Sequence, residues 1–241
     1  MSKVSAKNAI VLVNGYLFSP MASAFDVKSD AGKNEVTGFS DGTKNYIPGL
    51  ESDVVTLNMY WDSAANSVHA ALASLPNGYV TLFPEGYSLG AQSYSLPSML
   101  ANYNPQGKPA GNLEVGTLSF ESYGSNVGLE KGWALAHGTI SVTTTGTGFI
   151  DPTGAAVTAA CGGTLHIWTP TSTDTYVVKI QHSSSLGSGY TDLVTFTSTG
   201  TTRTVERKTV ASGVINQYRR VLATRTGTGD NFGFSVHFWH G

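Results

Sequence analysis

The sequence predicts a mainly β protein with a single helix. Charged residues make up only 12% of the 241-residue chain and glycine fills 28 positions, so the surface is neutral, hydroxyl-rich and rich in turns. Short alternating runs bounded by Gly, Ser, Thr and Asn recur along the whole length. Only one stretch has convincing helical periodicity.

Residues 9 to 19 read as a hairpin, because "AIVLV" meets "YLF" across Asn14-Gly15, the strongest two-residue hairpin turn. Strands through "SAFDVKS" and near "EVTGF" flank the glycine-bearing loop "DAGKN". A polar loop from Ser40 to Ser52, "SDGTKNYIPGLES", follows. It is long for a compact domain, and long connections tend to be functional or disordered. In "SDVVTLNMYW", Val55, Leu57, Met59 and Trp61 share one face and Thr56, Asn58 and Tyr60 the other, the pattern of a half-buried strand. The helix is expected from about Ser63 to Leu75. Asp62 or Ser63 is its N-cap, Val68, Ala71, Leu72 and Leu75 form the apolar stripe, and "PNG" stops it. Strands resume with "YVTLF", "AQSYSLPSMLANY" and "NLEVGTLSFESYG". Between Gly124 and Gly138 the composition turns to Thr and Gly, which places a boundary near residues 130 to 138 and divides the chain into 1–135 and 136–241. Beyond it "TLHIWT", "TYVVKIQHS", "DLVTFTS", "TRTVERKTV", "YRRVLATRT" and "FGFSVHFWH" are strands spaced in the manner of a β-sandwich.

The formal net charge of −2 leaves no basic stripe for tight phosphate binding, which argues against conventional nucleic-acid recognition. The charge is uneven: through Leu135 there are eleven acids against seven lysines, a net of −4, and the remainder carries seven bases and five acids, a net of +2. Cys161 is the lone cysteine, so no disulfide framework or thiolate cluster is expected. The start "MSKVSAKNAIVLV" has no apolar run long enough for a signal peptide, and synthesis and folding in a cytoplasm without a membrane anchor are expected.

"GYSLG" at Gly86 to Gly90 has the G-x-S-x-G spacing of a hydrolase nucleophile elbow, which nominates Ser88, with Asp151 or Asp174 and then His237 or His240 as partners. Such an elbow needs a strand running straight into the turn and a helix leaving it. Here Pro84-Glu85 intervenes before the turn and Pro97 interrupts any exit helix, so Gly86 and Gly90 read as turn glycines and Ser88 as a solvated turn residue. His137, His166, His182, His237 and His240 show no metal-ligand spacing. Arg203, Arg207, Lys208, Arg219 and Arg220 form a weak basic group that reads as a solvated strand face. Trp133, Trp168, Trp239 and Tyr190 are candidates for a sugar-stacking platform, although aromatics in a sandwich more often build core.

The order "IVLVNGYLFSP", "TGFSDGTKNYIPGLESDVVTLNMYWD", a helix, "YVTLFPEGYSLG" and "GNLEVGTLSFESYGSNVGLEKGWAL" resembles the tail tube (major tail) proteins of long-tailed, non-contractile bacteriophages over about the first 135 residues. "VVKIQHSSSLGSGYTDLVTFTS" and "VINQYRRVLATRT" are similar to galactose-binding-like, discoidin-type β-sandwiches, with Tyr190 standing where many such modules have tryptophan. The resemblance implies an N-terminal tail-tube-type β-barrel or sandwich with one flanking helix and a jelly-roll-like C-terminal sandwich. It implies a virion structural protein of the phage tail, assembled in the bacterial host cytoplasm, with no catalytic residue, cofactor or metal. Its partners would be further copies in stacked hexameric rings, the tape measure, tail tip and terminator proteins, and viral DNA passing through a mildly negative lumen. The C-terminal sandwich would decorate the outside and bind host-surface glycans weakly. Tyr46, Ile47, Pro48, Gly49 and Leu50, within the distinctive "YIPGL", become the candidate subunit interface. The alternatives are a carbohydrate-binding module protein and, behind it, a serine hydrolase using Ser88.

Overall fold

The computed structural model describes residues 8–37, 42–60, 72, 77–106, 115–124, 127–151 and 156–241. Among the described residues sixteen strands carry the architecture. The first eight are β1 (Ile10–Val13), β2 (Tyr16–Leu17), β3 (Ala22–Glu35), β4 (Tyr46–Tyr60), β5 (Asn77–Phe83), β6 (Gln92–Gln106), β7 (Val115–Ser122) and β8 (Glu130–Ile140). The rest are β9 (Thr144–Thr145), β10 (Phe149–Ile150), β11 (Val157–Thr169), β12 (Thr175–Ser183), β13 (Thr191–Thr195), β14 (Thr204–Ile215), β15 (Tyr218–Thr226) and β16 (Phe232–His240). The mainly β expectation holds. The expected helix from Ser63 to Leu75 lies outside the described residues apart from Leu72, which is helical and buried.

Eleven strands form one antiparallel sheet whose main path runs β14-β11-β16-β8-β6-β5-β1-β2, with β7, β4 and β3 continuing from the other half of β6. The smaller sheet holds β10, β15, β12 and β13, with β9 beside β15. Three layers of packing follow. Val55, Leu57 and Met59 of β4 and Leu118 and Phe120 of β7 pack on Val11, Val80, Leu82 and Leu96, making the N-terminal core. Leu165, Ile167, Phe232, Phe234, Val236 and Phe238 pack on Tyr176, Val178, Ile180 and Val221 of the smaller sheet, making the C-terminal core. Strands β1, β5 and β6 turn their second faces toward β8, β11 and β16, and this third, inner layer joins the two halves.

The inner layer is partly polar. Its apolar members are Ile10, Leu12, Phe83 and Ala134. Beside them Thr81, Ser93, Ser95, Thr164, His166 and His237 are all buried. The Gly15 amide donates to His166 Nδ1 at 3.2 Å, so the Nε2 proton of His166 faces Thr81 Oγ1 at 2.8 Å. Thr81 Oγ1 then meets Ser95 Oγ, and Ser95 Oγ meets Thr164 Oγ1, each at 3.1 Å. Every hydroxyl in this line has a neighbour, which is the condition for burying it without the full desolvation cost. Asn14 and Gly15 both have positive φ, as the predicted hairpin turn requires. A Cβ on Gly15 would stand 2.7 Å from the Thr204 carbonyl oxygen and 2.8 Å from that of Ile167. The turn therefore abuts β11 and β14, and the path from β11 to β2 curls into a barrel-like ring around the polar line.

Two sequence expectations change. "DAGKN" is not a loop between two strands, because β3 runs through it to Glu35. The polar loop Ser40–Ser52 is not a loop over its second half, because Tyr46 to Ser52 belong to β4, paired with β3 as far as Tyr46 opposite Glu35. The expected division between residues 135 and 136 falls inside β8, which pairs with β6 through Trp133 and with β16 through Ile140. What distinguishes the halves is their separate apolar cores.

Candidate assembly surface

The long pair of β3 and β4 divides into two parts. From Val54 onward β4 has a second neighbour, β7, and its alternating Val55, Leu57 and Met59 are buried as the sequence predicts. From Tyr46 to Asp53 it pairs with β3 alone, so this part is a two-stranded ribbon. Two-stranded ribbons are at best marginally stable in water. This one leaves Tyr46 51%, Ile47 49% and Leu50 92% exposed, with Val36 exposed beyond its end. Gly49 lies against Gly32 across the ribbon, where the register shifts between Ala31 and Lys33. Pro48, opposite Lys33, is accommodated because β4 has no second neighbour there to miss its amide hydrogen. Lys28 pairs with Asp30, and Lys44 with Glu35 at 3.0 Å, both on the surface where such pairs add little stability. The candidate interface residues therefore sit on one exposed ribbon.

The other nominated residues are dispersed. Ser88 is exposed in the turn after β5, where Gly86 and Gly90 have positive φ and Ala91 N–H bonds back to the Ser88 carbonyl at 2.9 Å. Its proposed partners lie elsewhere. Asp151 is sealed with Arg219 at 2.6 Å, both fully buried, and also meets His240 Nε2 at 2.9 Å. Asp174 accepts the amides of Thr228, Gly229 and Asp230 while Asp230 accepts those of Ser172 and Thr173, so the two aspartates lock facing turns together. Burial pushes the Asp174 carboxyl up, and the three amides outweigh it, leaving it below the usual range. His237 meets Ser93 Oγ at 2.7 Å, a serine–histidine contact that is wholly buried in the inner layer. We expect Ser88→Ala to leave folding and self-association unchanged, and the wild type to resist fluorophosphonate labelling. Stoichiometric labelling at Ser88 would overturn this.

The aromatic platform does not form either. Trp133 stacks on His240, Trp168 lies against His137, Trp239 sits under Arg207 at 5.3 Å, and Tyr190 is covered by Arg220 at 3.9 Å. The basic group is likewise split: Arg203 lies over Tyr16, Arg207 binds Glu130, Arg219 binds Asp151 and Arg220 donates to Gln181. Among the described residues no group of three or more His, Cys, Asp and Glu is placed to hold a metal ion, and no helix is long and apolar enough to cross a membrane.

No protein-family model matches the chain, and no curated protein matches it. Several solved structures show a distant likeness. A chain from the virion of a native gene transfer agent particle is 11% identical, with a TM-score of 0.42 over 54% of this chain and 98% of that one. The tube-terminating cap of the anti-feeding prophage is 12% identical, with a TM-score of 0.40 over 56% and 93%. The SPP1 Dit protein, described as a hub adsorption apparatus protein of phages infecting Gram-positive bacteria, is 10% identical, with a TM-score of 0.34 over 97% and 99%. At TM-scores below 0.5 none of these likenesses carries function.

Proposed function

We propose that the chain is a non-enzymatic structural subunit of a phage-type tail, building the tube from stacked hexameric rings. The observation that carries this reading is the uncovered ribbon Ser29–Glu35 with Tyr46–Ser52, whose exposed Tyr46, Ile47 and Leu50 coincide with the stretch that resembles tail tube proteins. A free ribbon and its β3 edge are liabilities in a monomer, and a heterologous contact that closes into a ring removes them. Residues 1–135 supply most of the ring contacts, and residues 136–241, apart from the part of β14 and β16 beside the ribbon, decorate the outside, with weak glycan binding as an accessory role. The acid excess of the first half faces the lumen, keeping passing DNA from adhering. Tape measure, tail tip and terminator proteins are the remaining partners.

Purified protein examined by negative stain at rising concentration should form rings or tubes. Leu50→Asp should raise the concentration needed by about tenfold or more, since a buried leucine is worth roughly 1.5–3 kcal/mol. A chain that stays monomeric at every concentration, alone and with nucleating tail-tip components, would sink the reading.

A further inference from the structure

At the foot of the ribbon, between β4, β8, β14 and β16, lies an open cleft of about 500 Å³. Its walls carry Glu51, Asp53, Glu130, Lys131, Arg207 and Trp239. Asp53 is 2% exposed and Glu130 9%. Asp53 Oδ2 accepts the Leu129 amide at 2.7 Å, and Asp53 Oδ1 has no partner. Arg207 spends Nε and Nη2 on a single oxygen, Glu130 Oε1, at 2.8 and 2.6 Å, and Glu130 Oε2 has no partner. Trp239 Nε1, beneath the same arginine, is a buried donor without an acceptor. The residues of one cleft wall thus hold two unsatisfied carboxylate oxygens and one unsatisfied donor, all three shielded from solvent, each at a desolvation cost of roughly 1–3 kcal/mol.

We propose that this cleft receives a lysine or arginine residue from a second copy of the chain. A cationic head supplies the donors that Asp53 Oδ1 and Glu130 Oε2 lack, as charge-assisted bonds. A free amine would leave the Trp239 donor unmet, whereas a residue within a chain also brings a backbone carbonyl to accept from it. The net charge of the walls suits this guest, with three carboxylates facing two cations, one of them already committed to Glu130. Ser29 and Glu51 belong to both the cleft and the ribbon, so a copy docked on the ribbon also reaches the cleft. The inference rests on the self-assembly reading for the source of the guest, while the recognition chemistry stands apart from it.

The test uses the full chain at concentrations where it is monomeric, following the indole N–H signal of Trp239 by NMR. Titration with Nα-acetyl-arginine methylamide should shift this signal saturably, and the neutral citrulline analogue should not. Asp53→Asn, which preserves the acceptor for Leu129, should weaken the response by about tenfold, as loss of a charge-assisted bond predicts, and Glu51→Gln on the exposed rim should weaken it by a smaller factor. Both variants, shown folded by circular dichroism, should also raise the concentration needed for assembly. No saturable shift, or an equal shift with citrulline, would overturn the cleft as a cation site. Assembly of both folded variants at the wild-type concentration would overturn the second copy as its source. If the wild type fails to assemble at all, the self-assembly reading falls, and the probe titration still decides the cleft.

Discussion

A chain cut after Leu135 should lose cooperative folding. The cut falls inside β8 and removes β11 and β16, which form the far wall of the inner layer. Thr81, Ser93 and Ser95 would lose their partners Thr164, His166 and His237, and Leu12, Phe83 and Ala134 would face water. Exposing Leu12 and Phe83 alone forfeits roughly 1.5–3 kcal/mol each, which is a large share of a typical total stability of about 5–15 kcal/mol. The fragment 1–135 should bind a hydrophobic dye, show poor NMR dispersion and unfold without a cooperative transition. A sharp two-state transition for this fragment would show that the N-terminal core is sufficient, and that the inner layer is only a contact between finished domains.

Mild acid should destabilise the intact chain well above the pH at which carboxylates titrate. Burial holds His166 at about 3, with the neighbouring His237 adding to the effect, and burial alone holds His237 at about 3. In the unfolded chain both protonate near pH 6.5. The unfolded state therefore binds more protons below that pH, and stability falls as pH drops from about 6.5 toward 3. At pH 5 the loss is about 2 kcal/mol per histidine, and the slope approaches two protons per molecule. His137 and His182, both lowered by burial, act in the same direction. Glu130, raised by burial, opposes them modestly. Glu206, held at about 2 by Thr197 and Ser198 against its own burial, adds its loss only below its unfolded value near 4.5. Urea denaturation between pH 7.5 and 5 reads the slope directly. A flat profile would mean that the two rings are not held neutral.

Local signals in the sequence were enough for much of the fold. The Asn14-Gly15 hairpin, the alternation of Val55, Leu57 and Met59, and the strands "TYVVKIQHS", "YRRVLATRT" and "FGFSVHFWH" recur in the structure because turn chemistry and one buried face leave a direct period-two mark. The ribbon left no such mark. With both faces in solvent, "YIPGLES" has nothing to impose alternation, and its Pro and Gly read as a loop. The inner layer was hidden for the opposite reason. In "YVTLF", "TLHIW" and "SVHF" the apolar positions announce the outer core, and the alternate Thr81, His166 and His237 look like solvent-facing residues until the opposite side of the same curled sheet covers them. The cleft depends on side chains from β4, β8, β14 and β16, whose meeting no local pattern encodes.

The place of β16 in the sheet bears on the order of events during synthesis. This strand comes last among the sixteen, yet it sits in mid-sheet between β11 and β8. Its His237 closes onto Ser93, 144 residues earlier, and β11 brings His166 to Gly15 across 151 residues. Contacts so distant in sequence form slowly, and a nascent chain carries an open slot between β11 and β8 until β16 is inserted. The ribbon is translated far earlier and can pair early, but the body on which it is mounted stays unset. Closure of that body is thereby tied to the arrival of β16 rather than to the pairing of the ribbon.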